Sequence, residues 1–323
     1  MWLKMFIANT GHIGRTLQEY MEILNELDIK NIETSVTAGF FEKTPAIGYT
    51  TDRIFNMWRQ GFQWEYADPA TGLPSEEYRE LLESHGIKIC AFYYGNQPLI
   101  SDPDKLRFDI KKVKGLCKLA NNWGVRAIRI HGGDSRSGVA LSAVPHAQES
   151  GGVWDMGIEE VIDLIVAQFK EFAKSAEEYG VDLAMENHYQ ILQDADRCIR
   201  IFKEVGSERL GLNNDTGNWA YGGRSTKYMV EAFKKLAPYT KSTHLKDVKN
   251  VGSPFKINGP MARIGWGEGT VLGQGDVPIK ACIQELKKVG YKGQLGIHGG
   301  SDDPRVSKYE FLKKSVEYVK SCV

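Results

Sequence analysis

Eight short apolar runs, each closed by glycine or polar residues, alternate with amphipathic stretches along this 323-residue chain. They predict an α/β protein: a single (β/α)8 TIM barrel over residues 1–323, with long βα loops over its C-terminal mouth. Three observations carry the prediction. Eight strand–helix pairs in about 300 residues match the size of one barrel. Glycines stand where helices should stop, and no linker or low-complexity segment divides the chain. An open doubly wound sheet would have fewer strands and a phosphate loop after the first, yet NTGHIGRT (9–16) lacks the full G-x-G-x-x-G spacing.

The first four strand runs are KMFIANT (4–10), IKNIETSV (29–36), IKICAFYY (87–94) and RAIRIHGG (126–133). The last four are VDLAMENH (181–188), LGLNNDTG (210–217), KSTHLKD (241–247) and GQLGIHGG (293–300). Between them, apolar residues recur at helical spacing. In residues 158–180, Val161, Ile162, Ile165, Val166, Phe169, Phe172 and Ala176 fall on one broad stripe. Gly86, Gly124, Gly180 and Gly290 each suit a left-handed helix C-terminus before the next strand. Three long segments break the beat: 38–74, 132–157 and 248–276. All follow strands, so they belong over one mouth, where covering a substrate or docking a partner chain are the expected jobs.

Composition narrows the function. Hydrophobic residues are 42% and charged residues 25%, as in ordinary globular proteins. Lys+Arg and Asp+Glu are both 41, which gives no electrostatic reason for a nucleic acid or acidic-membrane partner. A net charge near zero does little to oppose self-association, so an oligomer is expected. The five cysteines (Cys90, Cys117, Cys198, Cys282, Cys322) are scattered and without a CxxC pair, which fits a reducing cytoplasm and buried thiols. No run approaches the 18 apolar residues of a membrane span. The start runs directly into a strand, so no signal peptide is expected.

The chemistry collects at the last four strand ends. Glu186, Asp215, His244 and His298 occupy the same relative position, at sequence steps of 29, 29 and 54 residues. Strand ends of a barrel converge on one mouth, so two carboxylates and two imidazoles would meet there. A carboxylate following apolar strand residues is costly unless paired, and one divalent metal removes that cost. The mixed oxygen and nitrogen set suits Mn(II) first, then Zn(II), Co(II) or Fe(II); Ca(II) and Mg(II) prefer all-oxygen shells, which makes Mg(II) a weaker fit. The plainer alternative is that Arg129 or Lys246 salt-bridges the two carboxylates.

Other residues divide between substrate and packing. His131 ends the fourth strand and points toward the mouth, for substrate contact or for packing. Asn187 and His188 follow Glu186 and are placed to meet substrate hydroxyls. Lys246 shares a strand face with His244 and is placed to reach a substrate oxygen or a metal-bound carbonyl. His146 lies in the second long loop with Glu149 three residues on; on one helical turn they would form a base and its orienter, or else a solvated loop. Phe40, Phe41, Trp58, Phe62, Trp64 and Tyr66 are expected mostly to pack the first loop, with Trp64 stacking on the substrate. His12 belongs near the mouth. His85 stands at a helix end and is given no chemical role.

MENH around Glu186, NNDTGN around Asp215, THLKD around His244 and the GQGDV turn (273–277) together resemble the xylose-isomerase-like sugar phosphate isomerase/epimerase superfamily. The resemblance covers nearly the whole chain. It implies one divalent metal held by strand-end Glu, Asp, His and Glu, polarising a sugar carbonyl while a nearby base moves a proton on the adjacent carbon. This chain departs at the fourth ligand, where GQLGIHGG puts His298 in place of the glutamate. A two-sided carboxylate couple is then lost, and an additional base is expected, for which His146 with Glu149 is the candidate.

The Glu/Asp/His/His set and the histidine-bearing loop after strand four resemble the catalytic subunits of bacterial C-glycoside deglycosidases. That resemblance implies a 3-oxo-glycoside substrate, a smaller β-sandwich subunit as partner, and release of the aglycone by elimination. A C–C glycosidic bond has no oxygen to protonate, so paired-carboxylate hydrolysis does not apply. The expectation is a metal-dependent lyase on a keto-sugar glycoside. The alternative is a sugar isomerase or ketose 3-epimerase using the same metal and proton step. A non-catalytic scaffold barrel is the reading from another class, and a nuclease is disfavoured by the zero net charge.

Overall fold

The computed structural model describes residues 5–8, 16–36, 73–94, 103–132, 158–221, 224–249 and 267–323. His12, Phe40, Phe41, Trp58, Phe62, Trp64, Tyr66, His146 and Glu149 lie outside the described residues, as does most of each long loop.

Eight parallel strands close into a barrel. They are β1 (Met5–Ala8), β2 (Asn31–Ser35), β3 (Lys88–Tyr94), β4 (Ala127–His131), β5 (Asp182–Glu186), β6 (Leu210–Asp215), β7 (Thr240–Leu245) and β10 (Leu295–His298). Each run named from the sequence supplies one stave, in chain order around the barrel, and β10 returns to pair with β1. β8 (Asp247–Lys249) and β9 (Glu268–Thr270) form an antiparallel ribbon outside the barrel, so both ends of the third long loop are ordered by pairing with each other.

The helices form as their sequences direct. Ile158–Tyr179 buries the whole predicted stripe from Val161 to Ala176. Ser307 caps Lys308–Cys322 with a reciprocal capping box to Glu310, which satisfies two otherwise orphaned N–H groups. Gly86, Gly124, Gly180 and Gly290 all take positive φ, between 67° and 73°, where a side chain would be strained. His85 ends a helix and turns Nδ1 back to the Leu81 carbonyl at 3.0 Å.

Strand alternation divides the sheet into two faces. Ile128 and Ile130, Leu183 and Met185, Leu210 and Leu212, and Leu295 and Ile297 join one apolar layer with the helix stripes. The alternate positions (Glu33, Tyr93, Arg129, Glu186, Asp215, His244 and His298) face the lumen. Other lumen positions of the same strands are small: Ala91, Ala184, Gly211 and Gly296. All five cysteines are free, and burial pushes the Cys117 thiol up to about 12. Among the described residues no helix is long and apolar enough to cross a membrane.

Candidate metal centre

At the mouth, the four strand-end residues converge. Glu186, Asp215, His244 and His298 each offer a ligand atom within 4.8 Å of the others. They come from β5, β6, β7 and β10, which are consecutive around the barrel. Donors held at about 2.0–2.2 Å from one ion would lie within about 4.4 Å of one another, so the set needs only slight contraction. Two oxygen donors and two imidazole nitrogens match the chemistry of a divalent transition metal.

Each donor is oriented by its own element. Asp215 ends β6 and begins a short helix (Thr216–Tyr221), whose N–H groups at Gly217 and Asn218 donate to Oδ1 at 2.9 and 3.2 Å. That leaves Oδ2 facing His298 Nδ1 at 3.1 Å, Lys246 Nζ at 3.1 Å and His244 Nδ1 at 3.8 Å. Glu186 Oε2 accepts from Arg129 Nη1 at 2.8 Å and lies 3.1 Å from His131 Nε2. Its Oε1 faces Asn218 Nδ2 at 3.4 Å and His244 Nδ1 at 3.6 Å. Both plainer ion pairs are therefore present, Arg129 with Glu186 and Lys246 with Asp215, and each sits beside the four-donor cluster.

The electrostatics keep the donors in ligand form, with one exception. Burial alone would raise both carboxyls, but Arg129 with His131 and His244 holds Glu186 well below the carboxylate range, and Lys246 with His244 and His298 does the same for Asp215. His298 is pushed down to about 4 by burial and by Lys246 and His244, so it is a neutral imidazole near pH 7. His244 is the exception. Burial, the largest influence, and Arg129 oppose its charge, yet the carboxylates of Glu33, Asp215 and Glu186 together outweigh them and raise it to about 9. A metal would have to displace that proton.

Around the cluster lie the expected substrate residues. His131 stacks on His188 with centroids 5.1 Å apart and planes at 10°, while Tyr93 Oη lies 3.3 Å from His131 Nε2. Burial drives His188 down to about 3, so it remains neutral. Lys246 reaches the mouth beside Asn218 Oδ1 at 3.2 Å. A Cβ on Gly217 would come within 2.7 Å of three Lys246 carbons, so glycine is what lets the lysine stem lie there. Asn187 departs from its expected place at the substrate. It is buried, its Oδ1 accepts from the Asp215 N–H at 2.7 Å and its Nδ2 donates to the Asp215 carbonyl at 3.0 Å. Alternation turns it away from the mouth, and its amide clamps the end of β6.

Glu33 joins the centre although no motif in the chain marks it. This residue lies on β2, across the lumen from β7, with its side chain fully buried. Arg129 Nε and Nη2 donate to its two oxygens at 2.9 and 2.8 Å, and His244 Nε2 lies 3.3 Å away. The available signal was the one used for Glu186, a carboxylate following an apolar strand residue, here Ile32.

A profile of the xylose isomerase-like TIM barrel family matches residues 41–322, and the chain belongs to that family. It is 27% identical over 162 residues to an inosose dehydratase of Mesomycoplasma hyopneumoniae (strain 232), covering 47% of this chain and 52% of that protein. The chain thus aligns with about half the length of the curated relatives it matches. Among solved structures it resembles the IOLI protein with a bound zinc atom (TM-score 0.65, 16% identity, covering 99% of this chain and 98% of that one). It also resembles the probable 3-DHS dehydratase AsbF of Bacillus anthracis (TM-score 0.63, 16% identity, covering 98% and 99%). At these identities the structural likeness shows the fold.

Proposed function

We propose that this family member is a divalent-metal-dependent lyase acting on a cyclic keto-sugar, removing the proton next to a ketone and expelling the substituent β to it. The observation that carries the reading is the convergence of Glu186, Asp215, His244 and His298 within 4.8 Å at the barrel mouth. The zinc bound by the IOLI relative and the two dehydratases among the similar proteins support the same chemistry. Bound there, a divalent ion would act as a Lewis acid on the ketone oxygen, which acidifies the neighbouring C–H.

The chain's own residues supply the rest. Lys246, whose ammonium is held by Asp215 and Asn218, offers N–H donors to a sugar oxygen at the mouth. His131 and His188 form a flat wall beside Glu186, and the neutral His188 ring can hydrogen-bond a hydroxyl without adding charge. His146, oriented by Glu149, is the proposed base, with Trp64 stacking on the sugar or its substituent. His298 in place of a second carboxylate favours one-sided proton removal over two-sided exchange, and so elimination over epimerisation.

The finer reading is a 3-oxo-glycoside, with the aglycone of a C-glycoside as leaving group and a smaller β-sandwich chain as partner. The dehydratase relatives favour a second version in which the ketone lies on a cyclic polyol and water leaves. Incubating the purified, Mn(II)-loaded protein in deuterated water with a 3-oxo-C-glucoside and, separately, with an inosose distinguishes them. Released aglycone supports the first and a dehydrated enone the second. Recovered sugar epimer carrying deuterium would replace the lyase by an epimerase. Absence of stoichiometric metal by elemental analysis after metal loading and dialysis would defeat the whole reading.

A further inference from the structure

The centre below the mouth is a closed ring of four buried side chains contributed by β2, β4, β5 and β7. Arg129 is its hub. Its guanidinium donates to both oxygens of Glu33 and to Oε2 of Glu186, and its Cζ lies 3.6 Å from the Tyr93 ring centroid. The ring closes through His244, with Nε2 3.3 Å from Glu33 Oε2 and Nδ1 3.6 Å from Glu186 Oε1. Glu33 thus meets His244 at Nε2, whereas Glu186 and Asp215 face its Nδ1.

Resting on the metal-centre reading above, we propose that Glu33 is a positioning residue: it accepts the Nε2–H of His244 and thereby presents Nδ1 as the metal-ligating atom. A neutral imidazole carries one N–H, and the hydrogen bond made by one nitrogen decides which other nitrogen is free to ligate. Glu33, an acceptor only, claims Nε2–H. Arg129 makes this arrangement rigid, because a bidentate fork fixes the carboxylate plane as well as its position. The same guanidinium holds Glu186, so the ring couples the orientation of two of the four donors, Glu186 and His244. Were Glu33 and Arg129 only barrel filling, nothing would require the third contact to His244, which stands on β7, three staves from β2 around the barrel.

The test uses Co(II) and Zn(II) alone as probes. Glu33→Gln should bind Zn(II) about 10- to 100-fold more weakly than wild type in chelator competition, the usual cost of losing such a partner. Its Co(II) complex should show shifted visible bands, which a distant packing change would not produce, and Glu33→Asp should recover part of the affinity. Equal affinity and an unchanged Co(II) spectrum in Glu33→Gln would overturn the proposal. Should that variant fail to fold, long-range 1H–15N spectra of the Zn(II)-loaded wild type decide instead. His244 is expected with a protonated Nε2, and a protonated Nδ1 would overturn it. Wild type that takes up neither ion defeats the metal reading itself, which separates that failure from a failure of Glu33's role.

Discussion

The two faces of one sheet differ completely in chemistry. Outward, Ile128, Ile130, Leu183, Met185, Leu212 and Ile297 meet helix residues such as Phe169 and Phe172 in a layer with little exposed surface. Inward, one residue along, the same strands carry Arg129, His131, Glu186, Asp215 and His298. The outer layer removes apolar area from water and stabilises the barrel. The lumen takes ions out of water and recovers the cost only through mutual pairing, so it contributes specificity of arrangement more than net stability. Stability and function are thus separated by a single residue of strand register.

Substitutions should separate the faces in turn. The largest functional effect is expected from Asp215→Ala, which removes a donor and the group that holds Lys246; metal content by elemental analysis and turnover should both fall to background. Retained stoichiometric metal would break the assignment of the lumen. Arg129→Met strands two carboxylates, Glu33 and Glu186, in the lumen, and should cost about 3–5 kcal/mol in urea unfolding of the metal-free protein. Phe169→Ala, on the other face, should cost a similar amount, about 3–5 kcal/mol, through the cavity it leaves. It should nonetheless keep stoichiometric metal under native conditions, and loss of metal there would show that the two faces are not independent.

A pH series sharpens the comparison further. His244 is raised from 6.5 to about 9, so the stability it adds to the metal-free protein is complete below pH 6.5 and lost as pH rises through about 9. His298 is lowered from 6.5 to about 4, so its contribution is present above pH 6.5 and declines as pH falls toward about 4. Metal-free protein should therefore be most stable near neutral pH, measured by urea midpoint. Zn(II) affinity should rise from pH 7 to 9, because the ion displaces the His244 proton. An affinity flat over that range would exclude proton displacement at this imidazole. The smallest effect is expected from Gly217→Ala, which crowds the Lys246 stem. A few-fold rise in KM with unchanged metal affinity would place Lys246 on substrate, and an unchanged KM would remove it from that role.

Much of this was legible in the chain. The eight apolar runs mark the eight staves, and Gly86, Gly124, Gly180 and Gly290 mark helix ends, because both signals are local to a few residues. Register also makes Glu186, Asp215, His244 and His298 a set, since equal positions on neighbouring barrel strands must meet at one end. Asn187 directly follows Glu186, yet alternation turns it outward to the end of β6, a departure from its expected place at the substrate. The role of Glu33 is not legible along the chain, because its partners lie 96 and 211 residues away.

Period-two alternation and glycine punctuation act within a few residues, so the fold class, the strand order and the meeting of four strand-end donors are written locally in the chain. Tertiary structure decided which charges neutralise which. Closure of the barrel alone brings Glu33 across the lumen to Arg129 and His244, and electrostatic energy depends on distances through space that no spacing along the chain records.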